Sequence, residues 1–338
     1  MIKFGKKVEE SVGLDIGTYS IKVTSVKNES GEKVLTGYNI KKFPLDKKEV
    51  NVEQLIEETL EEIDLHPETV NLAISGPEVI VRFINLPVMS REQLQNALVF
   101  EAEKYIPFNV NEVVLDFLIL GDAPETGQMR VLLAAAKRQP IESMVNTIKK
   151  LDIIVNVLDI NAFAMFNAFT ASNPPPEEKG AAFLDLGHSQ TDVLIATGKQ
   201  PSFMRQIQIG GKDVTDAICR ALSIPADKAE ECKLNPGEEN KETVLRATAS
   251  VLDDLAQEVH LSFGYFENRY NKPVSDIYCS GGMVYQEGIV EYLKEKLGVE
   301  VKKWNPVSNM KISEFLSRED IDSVASQLPI SIGLALRG

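Results

Sequence analysis

Leu14-Asp15-Ile16-Gly17 and Leu184-Asp185-Leu186-Gly187 are one phrase written twice. Each closes an apolar run, Val12-Gly13-Leu14 in the first case and Ala181-Ala182-Phe183-Leu184 in the second. Each leads through a polar turn into another apolar run, Ile21 to Val26 and Val193 to Thr197. The pattern predicts a strand, an Asp-x-Gly turn and a strand, made twice. Glycine in such a turn lets backbone amides approach an anion closely. Aspartate at a strand end can hold a hydrated cation such as Mg²⁺. Two such turns facing each other would clamp the phosphates of one nucleotide from both sides. The chain therefore reads as two related halves with a nucleotide between them.

The 338 residues suffice for two or three domain-sized units. Hydrophobic residues make up 43% and charged residues 25%, an ordinary globular balance. A net charge of −14 argues against a nucleic-acid partner and against binding anionic lipid by charge alone. Cys219, Cys232 and Cys279 fit no zinc spacing and read as buried small hydrophobes in a reducing compartment. No apolar run reaches the roughly 20 residues of a membrane span. Met1 to Lys7 lacks the apolar core of a signal peptide. These features predict a cytoplasmic chain without direct membrane insertion.

Outward from the first turn, Val12–Ile16, Ser20–Val26 and Lys33–Ile40 read as strands, followed by a helix through Val52, Leu55, Ile56, Thr59 and Ile63. Val70–Ser75 reads as a strand that Gly76-Pro77 ends. A strand–helix–strand–strand–helix–strand module follows. Its parts are Val79–Leu86, a helix opened by the capping box Ser90-Arg91-Glu92-Gln93 and reaching Tyr105, Val113–Leu120, Met129–Ala136, Pro140–Leu151 and Ile153–Leu158. Asn161–Thr170 reads as a buried helix and Asn173 to Glu178 as a linker. The second half brings three strands to about Ile209, a glycine turn at Gly210-Gly211, and a helix through Val214, Ile218 and Leu222. Asn235 to Lys241 reads as a polar loop, Glu242 to Tyr270 as a long helix, Asp276 to Ser280 as a strand, and Val324 to Leu336 as a last helix.

The twin turns, the pair Gly281-Gly282 and a small-residue helix near each half's end resemble the actin-like ATPase superfamily, which includes actin, Hsp70, sugar kinases, MreB and FtsA. Leu86 to Leu94, Glu101 to Phe108, Ile209 to Thr215 and the ending Ile332 to Arg337 narrow the resemblance to the PilM family, cytoplasmic actin-like proteins of type IV pilus assembly. The resemblance implies an α/β fold of two RNase H-like, actin-type domains with an inserted α+β subdomain. The first domain would span 11–76, continued at 153–177 and 320–338, with the insert at 77–152. The second would span 178–319, with a small insert at about 222–262. It implies an ATP-binding scaffold, with Mg²⁺, that binds the N-terminal peptide of a PilN-like inner-membrane protein. The partner would recruit it to the inner face of the membrane and couple it to the pilus motor ATPases. A filament-forming division protein like FtsA and a small-molecule kinase of the same superfamily are the other readings.

On that resemblance, Asp15, Gly17, Thr18, Tyr19 and Ser20 form the first phosphate turn. Lys22, seven positions after Asp15, reaches the β- and γ-phosphates; as a plain hairpin, the same lysine would face solvent. Asp185, Gly187, His188, Ser189, Gln190 and Thr191 form the second turn, where many relatives carry more glycines; His188 reads either as a base or as a polar loop residue. Asp15 and Asp185 hold Mg²⁺ through water. Asn161 stands where actin has the glutamine that orients the attacking water, with Asp159 as its substitute or a helix cap. This predicts slow or absent hydrolysis. Glu230 and Lys233, three apart on one helix, border the ribose or form a solvated ion pair. Gly281, Gly282 and Met283 make the adenosine turn, Gly210 and Gly211 border the nucleotide, and Gly333 belongs to the closing helix. Ile80, Arg82, Pro87 and Met89 are assigned to the partner groove.

Overall fold

The computed structural model describes residues 10–44, 50–123, 127–172 and 177–337. Residues 1–7 and the Asn173 to Pro176 part of the predicted linker lie outside them. The repeated phrase folds as a repeated sheet. Strands β1 (Glu10–Ile16), β2 (Ser20–Glu29) and β3 (Glu32–Lys42) form an antiparallel meander. Helix α1 (Val52–Glu61) leads to β4 (Thr69–Ile74), which pairs parallel with β1. The insert then brings β5 (Val79–Pro87), α2 (Arg91–Ala102), β6 (Val113–Asp122), β7 (Gln128–Lys137) and α3 (Arg138–Lys149). Strand β8 (Ile154–Ile160) returns to the first sheet, and α4 (Asn161–Ser172) follows.

The second half repeats the plan with β9 (Gly180–Leu186), β10 (Thr191–Thr197) and β11 (Gln200–Ile207). Helices α5 (Gly211–Leu222), α6 (Ala226–Leu234) and α7 (Gly237–Tyr270) precede β12 (Val274–Ser280), α8 (Ile289–Leu297) and β13 (Glu300–Lys303). Strand β14 (Lys311–Ile312), α9 (Arg318–Val324) and α10 (Pro329–Ala335) close the chain. The sheet orders are β14-β3-β2-β1-β4-β8 and β11-β10-β9-β12-β13, the same topology but for the added edge strand. The insert carries its own sheet, β5-β7-β6.

Several local expectations need correction. Most of the predicted polar loop at Asn235 to Lys241 is the first turn of α7, where Glu238 and Glu239 meet the positive end of the helix dipole. The predicted last helix is two helices: Ala325–Gln327 forms a 3-10 turn and Pro329 opens α10, because proline fits a first helical turn and not an interior. The capping box at Ser90 and Gln93 forms, but α2 stops at Ala102, before Tyr105. Helix α8 and strands β13 and β14 had no counterpart in the pattern; β13 and β14 have only four and two residues.

A shared layer joins the halves. Ala164, Met165 and Phe169 of α4 pack with Ile332, Leu334 and Ala335 of α10 and with Phe183 and Leu194 of the second sheet. A Cβ on Gly333 would lie 1.7 Å from the Ala164 carbonyl oxygen, so only glycine allows this approach. Asn71 ties α10 to β4 by donating to the Leu334 carbonyl (2.9 Å).

The insert touches both halves. Its inner core (Leu94, Leu98, Phe117, Val131, Leu133) seats α2 on one sheet face. The other face packs on Ile74, Ile160 and Phe163. From the second half, Gln200 donates to the Leu120 carbonyl (3.1 Å) and Arg269 to the Phe83 carbonyl (3.1 Å). Gln206 ties the second half to Gly76, in the first half just before the insert, its amide nitrogen 2.6 Å from the carbonyl oxygen and its oxygen 3.0 Å from the N–H.

Candidate functional site

The two turns repeat each other in hydrogen bonds as well as in sequence. Gly17 N–H donates to the Ser20 carbonyl (3.1 Å), and Gly187 N–H donates to the Gln190 carbonyl (3.0 Å). The turns face each other, with Thr18 Oγ1 donating to Ser189 Oγ (3.1 Å). Between them lies a cleft of about 340 Å³. Among the described residues, His188, Ser189 and Gln190 all have negative φ. The second turn therefore closes without needing glycine at these three positions.

Register sets the charges. Asp15 and Lys22 are cross-strand partners in β1 and β2, and Lys22 Nζ sits 3.0 Å from Asp15 Oδ2. The equivalent pair in β9 and β10 is Asp185 and Asp192. The second repeat thus has an aspartate where the first has a lysine, and both carboxyls are buried in the cleft wall. Burial, opposed by Lys22 and reinforced by Asp15, raises the Asp185 pKa to about 6. Burial, followed by the Asp185 charge, raises Asp192 to about 8. Gln190 Nε2 donates to Asp192 Oδ1 (2.8 Å). Among the described residues, no group of three or more His, Cys, Asp or Glu side chains is placed to hold a metal directly.

Glu230 and Lys233 are not a solvated pair. Their side chains are 12% and 8% exposed and 2.6 Å apart. Lys233 also donates to Thr215 Oγ1 (3.0 Å), and Thr215 donates to Glu230 (2.5 Å). Burial works to raise the Glu230 pKa, but the hydrogen bonds from Lys233 and Thr215 outweigh it and hold the carboxyl low. Tyr19 lies across the cleft mouth, its ring centroid 4.9 Å from that of His188. Burial, then the Lys233 charge, lowers the His188 pKa, so the imidazole is neutral at pH 7.

Gly281 joins β12 to the second turn: φ is +93°, and a Cβ would meet the Leu186 carbonyl oxygen at 2.4 Å. Gly282, Met283 and Gly211 also line the cleft. Asn161 lines it too; its Nδ2 donates to Ser75 Oγ (3.2 Å), while its buried Oδ1 has no partner.

Four residues predicted for the nucleotide cleft, and all four predicted for the partner groove, lie outside the lining. Asp159 is held by Arg337 (2.9 Å) and by Asn167 (3.3 Å), so its carboxyl is already engaged. The Thr191 hydroxyl donates to the Ile209 carbonyl (2.8 Å). Gly210 supports the second turn from behind, and Gly333 serves the α4–α10 crossing. The groove residues split: strand alternation puts Ile80 and Arg82 on the α2 face of β5 and Pro87 on the other, while Met89 packs on the insert's core. Sequence reasoning missed Asp192, Glu78, Lys137, Tyr285, Gln286 and Gln327, all of which line the cleft. Only Asp192 carried a signal, its seven-residue offset from Asp185, the same as that of Lys22 from Asp15.

Comparison with known proteins gives the family. Residues 13–338 match the family described as type IV pilus assembly protein PilM. The chain belongs to the PilM family. Membership supports a part in type IV pilus assembly. A solved PilM–PilN type IV pilus biogenesis complex superposes on this PilM-family chain with a TM-score of 0.87 at 28% identity, covering 97% of this chain and 98% of that one. Cell division protein FtsA of Streptococcus pneumoniae is 25% identical over 87% of this chain and 75% of its own length. MreB 5 of Spiroplasma citri, solved bound to AMPPNP, shares the actin-like fold at a TM-score of 0.52 and 13% identity, over 98% and 96% of the two chains. Among the described residues, no helix is long and apolar enough to cross a membrane.

Proposed function

We propose that this PilM-family chain is a nucleotide-gated assembly protein that holds Mg-ATP between its two turns and, in that state, captures the cytoplasmic peptide of a PilN-like membrane partner. The observation that carries this reading is the pair of turns, 3.1 Å apart at Thr18 and Ser189, with Asp15, Lys22 and Asp185 around them. Lys22 supplies a fixed positive charge for phosphate. Asp15 and Asp185 suit a cation that keeps its water, since Mg²⁺ dehydrates reluctantly and accepts one or two carboxylates beside phosphate oxygens. The unpartnered Oδ1 of Asn161 is an acceptor for a water near the phosphates. Its short side chain and the occupied Asp159 favour slow turnover.

The cleft extends beneath β5 into an arm lined by Val79, Ala136, Pro140 and Met144, rimmed by the Lys137–Glu78 pair. An extended peptide fits such an arm, with apolar anchors and backbone partners. Ile80, Arg82 and Met89 on the far side of β5, with Pro87 at its end, mark the other surface a partner would use. The bound chain would then sit at the membrane's inner face, recruited by its partner, and the motor ATPases would dock on the assembled pair.

Binding can be measured by fluorescence anisotropy of the partner's N-terminal peptide, with and without Mg-ATP, on wild type and Asp15→Ala. The expected result is tighter peptide binding with Mg-ATP in the wild type and no nucleotide effect in the variant. A ligand shifts the protein only through different affinities for its two states. An Asp15→Ala protein with unchanged ATP affinity and unchanged peptide response would overturn the reading. Separate Met144→Lys and Arg82→Ala variants tell which face of β5 takes the peptide.

A further inference from the structure

One wall of the cleft is built from Lys233, Leu234, Met283, Tyr285 and Gln286. Gln286 stands out there. Its residue is 6% exposed, and its Nε2 donates to Thr248 Oγ1 of α7 at 2.8 Å. Its Oε1 is buried with no partner. The short turn Gly282–Tyr285 presents the residue, with Gln286 N–H donating to the Met283 carbonyl (3.1 Å). On the same wall a Cβ at Gly282 would meet nothing within 4 Å, so the backbone there faces open space. A buried acceptor left without a donor is costly, and a ligand that supplies the donor recovers that cost.

We propose that Gln286 reads the base, its Oε1 accepting a hydrogen bond from the exocyclic 6-amino group of adenine. This rests on the nucleotide reading above and names the base that the cleft selects. With Nε2 engaged by Thr248, the oxygen is the free group. Guanine places a carbonyl oxygen where adenine has its amino group. Two acceptors would then face each other, and a site built to pair with a donor rejects a ligand that lacks it. The apolar flank, Leu234 and Met283, covers the ring without distinguishing bases.

Calorimetric titration of the full chain with ATP, purine riboside triphosphate and GTP, each with Mg²⁺, tests this. Purine riboside triphosphate differs from ATP only by the missing 6-amino group. The expected result is wild-type binding about tenfold weaker for purine riboside triphosphate, and weaker still for GTP, as for one lost hydrogen bond in a buried site. Gln286→Leu should bring ATP and purine riboside triphosphate to within about twofold of each other. Thr248→Val, which frees the amide to turn over, should narrow the gap between ATP and GTP. Should Gln286→Leu unfold, the wild-type ligand series decides alone. Equal wild-type affinities for ATP and purine riboside triphosphate overturn the inference and leave the nucleotide reading standing. No binding of any of the three overturns both.

Discussion

At the scale of single residues, the decisive fact is a substitution between repeats. Lys22 and Asp192 hold the same offset from Asp15 and Asp185, so one turn has an ion pair and the other has two facing carboxyls. Like charges in direct cross-strand register disfavour ionisation, and burial adds to this. A carboxyl whose pKa is raised on folding stabilises the fold while protonated and loses that contribution as pH climbs to its folded value. For Asp192 the window runs from the ordinary 3.8 to about 8. Nucleotide-free protein should therefore lose on the order of 1–2 kcal/mol between pH 6 and pH 8. Asp192→Asn should flatten that slope in urea melts at the two pH values. The sequence carried the offset but not the burial that gives it force. The motif residues Asp15, Gly17, Asp185 and Gly281 were legible because turn chemistry is local. Gln286 was not, since its meaning depends on Thr248 across the fold.

At the scale of elements, periodicity located most strands and helices, and the turns between them repeated as written. It failed where tertiary packing overrides it: the break at Pro329, the early start of α7 and the very short edge strands. The α4–α10 crossing tolerates no side chain at one point. Gly333→Ala should cost about 3 kcal/mol or more, read as a lower midpoint in denaturant unfolding, since neither backbone can give way. The first turn makes a different prediction. The Tyr19 ring lies tilted against His188, and Thr18 bonds Ser189, so two contacts bridge the cleft mouth. Tyr19→Ala should speed release of a fluorescent ATP analogue several-fold in stopped-flow chase experiments, with a smaller effect on its association rate. An unchanged release rate would show that the ring does not hinder exit.

At the scale of the whole molecule, two like halves enclose a cleft and a third body leans on both. The doubled phrase made the repeated sheets legible, and Gly76-Pro77 was read as the break before the insert. How the insert is held was not legible, because Gln200 and Arg269 lie far along the chain from Leu120 and Phe83. Replacing Gln200 and Arg269 together by alanine should leave nucleotide affinity within about twofold and raise amide exchange across β5 to β7, by loss of about 1 kcal/mol per bond. Unchanged exchange would show that the first half alone holds the insert. These ties have a geometric consequence. A body bound to one jaw rides with it, but one bound to both must pivot whenever the jaws change their angle. If nucleotide changes that angle, the insert would act as the diagonal of a linkage, and the spacing of the two glycine turns inside the cleft would be displayed as the tilt of α2 on the outside.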